Sequence, residues 1–126
     1  MIKVTEYAFT CYPVSDMARA REFYEKVIGL VPTMVHESPD GSAWTEYELG
    51  DGAFSIGKAP GWNPSADGAS IAFEMEDFDG AIASLKERGV PFKIEPFPTP
   101  VCRMAFVLDP EGNTLCIHKR NPAPRP

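Results

Sequence analysis

Two titratable side chains, Glu74 and His118, and one thiol, Cys116, are the groups whose type and spacing best suit them to chemistry. Each lies in a stretch that reads as a β-strand, where side chains two apart share a face. Glu74 and His118 could each take or give a proton if burial moved their pKa toward neutrality. Cys116 stands two residues before His118, so the pair face one way, and an adjacent imidazole would lower the thiol's pKa. Such residues are about 6.6 Å apart along a strand, so contact between them needs favourable rotamers. These three are the candidate catalytic residues. Against them stand plainer readings: Glu74 solvated at an edge, His118 at the surface, Cys116 a buried structural thiol.

The bulk properties bound what such groups could serve. The chain has 126 residues, 44% hydrophobic and 24% charged, which is ordinary composition for one globular domain. A net charge of −6 argues against nucleic acid, which needs clustered Lys and Arg; Lys119, Arg120 and Arg125 are too few. No apolar run approaches the roughly 20 residues that span a bilayer, so no membrane association is expected. The start alternates like a strand and lacks the features of a signal peptide. Three cysteines, Cys11, Cys102 and Cys116, cannot all pair, which fits free thiols in a reducing compartment and a cytoplasmic location.

The elements that must carry these residues occur twice. Ile2–Tyr12 reads as a strand, Ser15 or Asp16 as a helix N-cap, and Met17, Ala20, Phe23, Tyr24 and Val27 follow at helical spacing up to Gly29. Strands fit at 31–37, 43–49 and 53–58, separated by Pro39-Asp40-Gly41 and Gly50-Asp51-Gly52 turns. After a loop at 59–67 the order returns: a strand at 69–75, a helix from Asp77 to Gly89, and strands at 92–97, 103–108 and 114–119. Asp16 and Asp77 are 61 positions apart, and the same step carries Val14 to Met75 and Ile56 to Ile117. The prediction is an α+β fold of two tandem βαβββ modules, about 1–60 and 67–120, in one domain, with a flexible tail at 121–126. The strands are expected to form a curved, mostly antiparallel eight-stranded sheet with two helices on its outer face.

The segment from Tyr12 to Leu30, with Val14-Ser15-Asp16, Phe23-Tyr24 and Gly29-Leu30, resembles the first module of the vicinal oxygen chelate superfamily. That superfamily includes glyoxalase I, bleomycin-resistance proteins and extradiol dioxygenases. Phe106-Val107-Leu108-Asp109-Pro110-Glu111-Gly112-Asn113 resembles the turn before its last strand. With the repeat, the resemblance covers essentially the whole chain. It implies a metal site drawing one ligand from each of four central strands, commonly His or Glu. Seven residues before the capping Asp16, where the family has His, stands Phe9; the other three positions fall at Ser55, Ser70 and Cys116. Phenylalanine supplies no donor, so no metal and no cofactor are expected.

The same resemblance implies a concave trough. If Phe9 lines it, so by parity do Tyr7 and Cys11; Ser70 brings Glu74, and Cys116 brings His118, with Ser55 on the first module's last strand. Trp62, on a loop with no local core, is expected as a lid over the pocket or in an interface, and Trp44 as a core or dimer residue that could reach the trough. Cys11, Cys116 and His118 would also suit an atypical soft metal site, the rarer outcome for such thiols. His36 is expected at the surface. Arg103 would pair with an anionic ligand or with Glu95, and the prolines of 91–100 would stiffen a pocket-edge loop. The function expected is binding of a small organic molecule without the family's metal, in a homodimer. The alternative is a lyase or isomerase related to lactoylglutathione lyase that uses Glu74, His118 or Cys116.

Overall fold

The computed structural model describes Lys3, Thr5 and residues 7–122. The chain divides into two compact units, residues 1–64 and 65–126. Each unit is built as strand, helix, then three strands. In the first these are β1 (Thr10–Pro13), α1 (Met17–Glu22), β2 (Pro32–Glu37), β3 (Ala43–Leu49) and β4 (Gly52–Lys58). In the second they are β5 (Ile71–Glu74), α2 (Phe78–Glu87), β6 (Phe92–Pro98), β7 (Cys102–Leu108) and β8 (Thr114–Arg120). The strands form two four-stranded mixed sheets, ordered β1-β4-β3-β2 and β5-β8-β7-β6.

The repeat is visible in hydrogen bonding as well as in order. β1 runs parallel to β4 with Thr10 opposite Phe54, and β5 runs parallel to β8 with Ile71 opposite Leu115. A step of 61 carries one ladder onto the other, the step read from the capping aspartates. Those caps form as expected: Asp16 accepts the backbone N–H of Arg19 at 3.1 Å, and Asp77 that of Gly80 at 3.0 Å.

In each unit the helix covers one sheet face. Tyr12, Thr45, Tyr47, Phe54 and Ile56 are buried with Val14, Ala20, Phe23 and Tyr24. Rings of Tyr24 and Phe54 lie 5.0 Å apart, and Thr45 donates to the Met17 sulfur. In the second unit Phe73, Ala105, Val107, Leu115 and Ile117 are buried with Phe78 and Leu85 of α2. The turn before β8 is held by Asp109, which accepts the N–H groups of Glu111 (2.9 Å) and Asn113 (2.8 Å), while Gly112 takes φ +84°. Asn113 in turn accepts the N–H of Ser65 at 3.1 Å.

Four expectations are corrected. The first strand is Thr10–Pro13 rather than Ile2–Tyr12, because its parallel register meets only Phe54–Gly57 of β4; residues 1, 2, 4 and 6 lie outside the described residues. The first helix does not stay α-helical to its end. It widens into a π-helical stretch at Phe23–Val27, with the Ile28 N–H on the Phe23 carbonyl, and both adjacent aromatics Phe23 and Tyr24 are buried. Pro96 lies in strand β6 as the 92–97 reading has it, Pro98 extends that strand rather than lying in a loop, and the register slips between Ile94 and Phe97, as suits an edge strand. Ser70 falls just before β5 and is exposed. Of the tail, residues 123–126 lie outside the described residues.

Candidate functional site

In the first unit, the sheet face turned away from α1 gathers an aromatic cluster. Antiparallel register places Trp44 of β3 beside Gly57 of β4, and Glu46 beside Ser55; parallel register places Cys11 beside Ser55. Phe9, just before β1, meets Trp44 edge-on, with ring centroids 5.5 Å apart at 87°. Trp62 arrives from the loop after β4, its backbone N–H donating to the Ala59 carbonyl at 3.2 Å. Both indoles lie over Gly57 so closely that a Cβ there would stand 2.6 Å from Trp62 and 3.1 Å from Trp44. The missing side chain is what lets them approach the backbone. Phe9 is 50% and Trp62 39% exposed, so two large ring faces stand in solvent. The Trp44 Nε1–H reaches Glu46 Oε2 at 3.4 Å. Tyr7 lies near Gly52 with its hydroxyl bonded to Thr10 Oγ1.

Two groups at the base of this cluster are polar but muted. Ser55 is fully buried, and its hydroxyl has no hydrogen-bond partner among the described residues. An orphaned buried hydroxyl costs about 1–3 kcal/mol. Burial pushes the Cys11 thiol up to about 12.

In the second unit, the face turned away from α2 carries a hydrogen-bonded pair. Glu74 and His118 stand opposite each other on β5 and β8, with Nδ1 2.6 Å from Glu74 Oε1. The other carboxylate oxygen accepts the backbone N–H of Arg120 at 2.8 Å. That N–H first, and His118 second, hold the Glu74 carboxyl below its ordinary range. Cys116, beside Ala72, is buried, and its sulfur reaches the Ile117 carbonyl at 3.9 Å.

Several expected roles change accordingly. Burial pushes the Cys116 thiol up, helped by Cys102, so the expected lowering by His118 is reversed; the imidazole is held by Glu74 instead. Among the described residues no three His, Cys, Asp or Glu side chains converge as they would around a metal ion. Arg103 pairs with Asp79 at 3.0 Å and lies over the Phe78 ring, while Glu95 pairs with Lys86. With Ile82 and Pro96, Arg103 and Phe78 line a surface hollow of about 290 Å³. His36 is exposed as expected, bonded to Ser38.

The thiols allow a direct check. Alkylation needs the thiolate, so below the pKa its rate rises about tenfold per pH unit. Iodoacetamide labelling of Cys11 and Cys116, followed by mass spectrometry, should climb through the alkaline range without a plateau. At pH 8 it should run at least tenfold slower than in urea. A plateau for Cys116 near neutrality would restore it as a reactive thiol.

The sequence profile of the Glyoxalase/Bleomycin resistance protein/Dioxygenase superfamily matches residues 6–117. The chain belongs to this superfamily. Solved structures share the fold. TnmS3, an antibiotic binding protein from Streptomyces sp. CB03234, is 24% identical with a TM-score of 0.75, over 96% of this chain and 100% of that one. A glyoxalase/bleomycin resistance protein from the same organism is 27% identical with a TM-score of 0.69, over 89% and 98%. The fosfomycin resistance protein FosX from Listeria monocytogenes is 14% identical with a TM-score of 0.78, over 94% and 96%. No curated protein sequence matches the chain. Among the described residues no helix is long and apolar enough to cross a membrane.

The positions where the resemblance puts metal ligands do not fit a divalent cation as a donor set. Phe9 offers a ring already packed on Trp44, Ser55 and Ser70 offer neutral hydroxyls, and burial keeps Cys116 protonated. None of the four brings a negative charge or an imidazole.

Proposed function

We propose that this protein binds a small, planar organic molecule on the Phe9, Trp44 and Trp62 cluster, without a divalent metal. The observation that carries the reading is the bare Gly57 under two indoles, beside aromatic faces left in solvent. Aromatic groups lining a binding surface with few polar handles are the usual recipe for such ligands. Glu46 beside the Trp44 N–H and the net charge of −6 favour a neutral or cationic molecule. Ser55, Cys11 and Tyr7 would border it. Antibiotic binding by TnmS3, a protein of the same fold, supports the reading. A homodimer working in the cytoplasm is the setting proposed, in keeping with three free cysteines.

A thermal-shift screen with planar neutral and cationic compounds tests it, each run with and without EDTA. Stabilisation that survives the chelator is expected, by several degrees at saturating ligand. Either no stabilisation by any compound at millimolar concentration, or stabilisation abolished by EDTA, would overturn the proposal.

The bond between Glu74 and His118 favours a second reading, a lyase or isomerase using these two residues. Alanine variants assayed on glyoxalase and epimerase substrates would eliminate it if turnover were unchanged.

A further inference from the structure

We infer that Glu74 and His118 form a proton-accepting subsite on the second unit that selects molecules bearing a weakly acidic hydroxyl, a phenol or an enol, and holds them as anions. The inference concerns the second unit alone and stands even if the aromatic cluster of the first unit binds nothing.

The argument begins with the tautomer. An ionised carboxylate can only accept hydrogen bonds, so the contact between Glu74 Oε1 and His118 Nδ1 at 2.6 Å places the ring's proton on Nδ1. In the neutral imidazole the lone pair then resides on Nε2. Among the described residues no partner engages Nε2; the ring's hydrogen bond is the one to Glu74. The His118 side chain is 20% exposed, and Nε2 is not among the buried polar atoms left without a partner. Glu74 is itself fixed by the Arg120 N–H, so the imidazole is anchored through two strands.

The surroundings suit an organic hydroxyl. Met104 lies opposite His118 on β7, and Ala72 and Phe106 flank Cys116, so the floor beside the imidazole is apolar. Phe97 stacks on Phe106 at 6.4 Å. Among the described residues of β5, β7 and β8, the titratable or charged groups sharing this parity are Glu74 from β5, Cys116 and Arg120 from β8, and Cys102 from β7, while Glu95 of the neighbouring β6 is paired with Lys86 and Lys93 with Asp67. Cys116 is protonated, Cys102 is buried, and Arg120 brings a positive charge near Glu74.

The step balances without a co-reactant. The O–H bond of the bound hydroxyl breaks, and its electron pair stays on oxygen. The proton forms a new N–H bond at Nε2. The imidazolium that results keeps its Nδ1–H on Glu74, whose charge stabilises it, and faces the new oxyanion.

A chromogenic acid tests the inference: 4-nitrophenol, whose anion is yellow, added at a pH where the free compound is protonated. The wild-type protein should raise the anion's absorbance saturably, with the acid constant of the bound probe increased at least tenfold. Glu74→Gln should reduce that shift by tenfold or more, and His118→Gln should abolish it, both with unchanged circular dichroism. 4-Nitroanisole, which lacks the acidic proton, should bind wild type and His118→Gln alike. Nitrogen NMR of wild-type His118 supplies a readout that needs no variant: where the ring is neutral its proton should sit on Nδ1 and leave Nε2 bare, and Nε2 should become protonated as 4-nitrophenol is added. Absence of the yellow anion with wild type, its persistence in His118→Gln, or a free-protein tautomer with the proton on Nε2 would each overturn the inference.

Discussion

Phe54→Ala should lower the unfolding free energy by about 3–5 kcal/mol, the range for deleting a fully buried aromatic side chain. Phe54 has no exposed surface and touches three other rings: Tyr12 at 5.5 Å, Tyr24 at 5.0 Å and Tyr47 at 6.1 Å. Its removal loses the transfer free energy, leaves a cavity and breaks three aromatic pairs. The damage also spreads to a polar group. Tyr47 donates its hydroxyl to Glu25 at 2.9 Å, and Glu25 is paired with Arg21 at 2.7 Å. Burial first and that bond second push the Tyr47 phenol up, and opening the cluster would bring water to both groups. Domains are stable by about 5–15 kcal/mol in all, so the variant should be near the limit of folding. Urea unfolding followed by circular dichroism measures the loss. A change below about 1 kcal/mol would mean that these four rings do not form the core of the first unit.

Gly57→Val should disable the proposed ligand site while leaving the core intact. Gly57 sits within β4 at no positive φ, so its backbone tolerates a side chain and the effect is steric. A Cβ 2.6 Å from Trp62 and 3.1 Å from Trp44 cannot be accommodated unless an indole moves. Trp62 is the one to go, because it is half exposed and comes from a loop. Losing one of the two indoles over Gly57 should weaken a planar ligand by about 2 kcal/mol, roughly thirtyfold. Tryptophan emission should shift to the red and acrylamide quenching should rise as the ring enters water. The stability cost should stay at about 1–3 kcal/mol, since the burden falls on one partly exposed loop side chain. Retention of full affinity by a folded Gly57→Val protein would remove the cluster from the binding site.

What could be read from the sequence is what local chemistry dictates. Asp16 and Asp77 announce helix starts because a short carboxylate can satisfy the N–H three residues on, and both do so. Strands β3 and β4 were bounded correctly within a residue because glycine turns flank them. The alternation that turns Glu74, Cys116 and His118 to one face leaves Phe73, Leu115 and Ile117 on the other, and those three are buried. Properties set by distant partners were not legible. Glu74 and His118 are 44 residues apart, and neither residue's surroundings foretell that one will hold the other's ring. The Cys116 thiol depends on how tightly the fold encloses it, which composition does not state. Trp44 and Gly57 enter the site together only through the exact hairpin register, and the π-helical widening at Phe23 arises from two adjacent aromatics needing one core.

The parallel ladders carry a kinetic consequence. Thr10 meets Phe54, and Ile71 meets Leu115, each across 44 residues of chain. Neither ladder can form by zipping outward from a hairpin; each must wait until its closing strand has been synthesised and its long loop has been gathered in. Hairpins β3–β4 and β7–β8 can assemble early, leaving the flanks of β4 and β8 open until β1 and β5 dock. On the ribosome, an early chain therefore displays Phe54 and Ile56 with one edge unpaired, and that interval is when association with other nascent chains is most favoured.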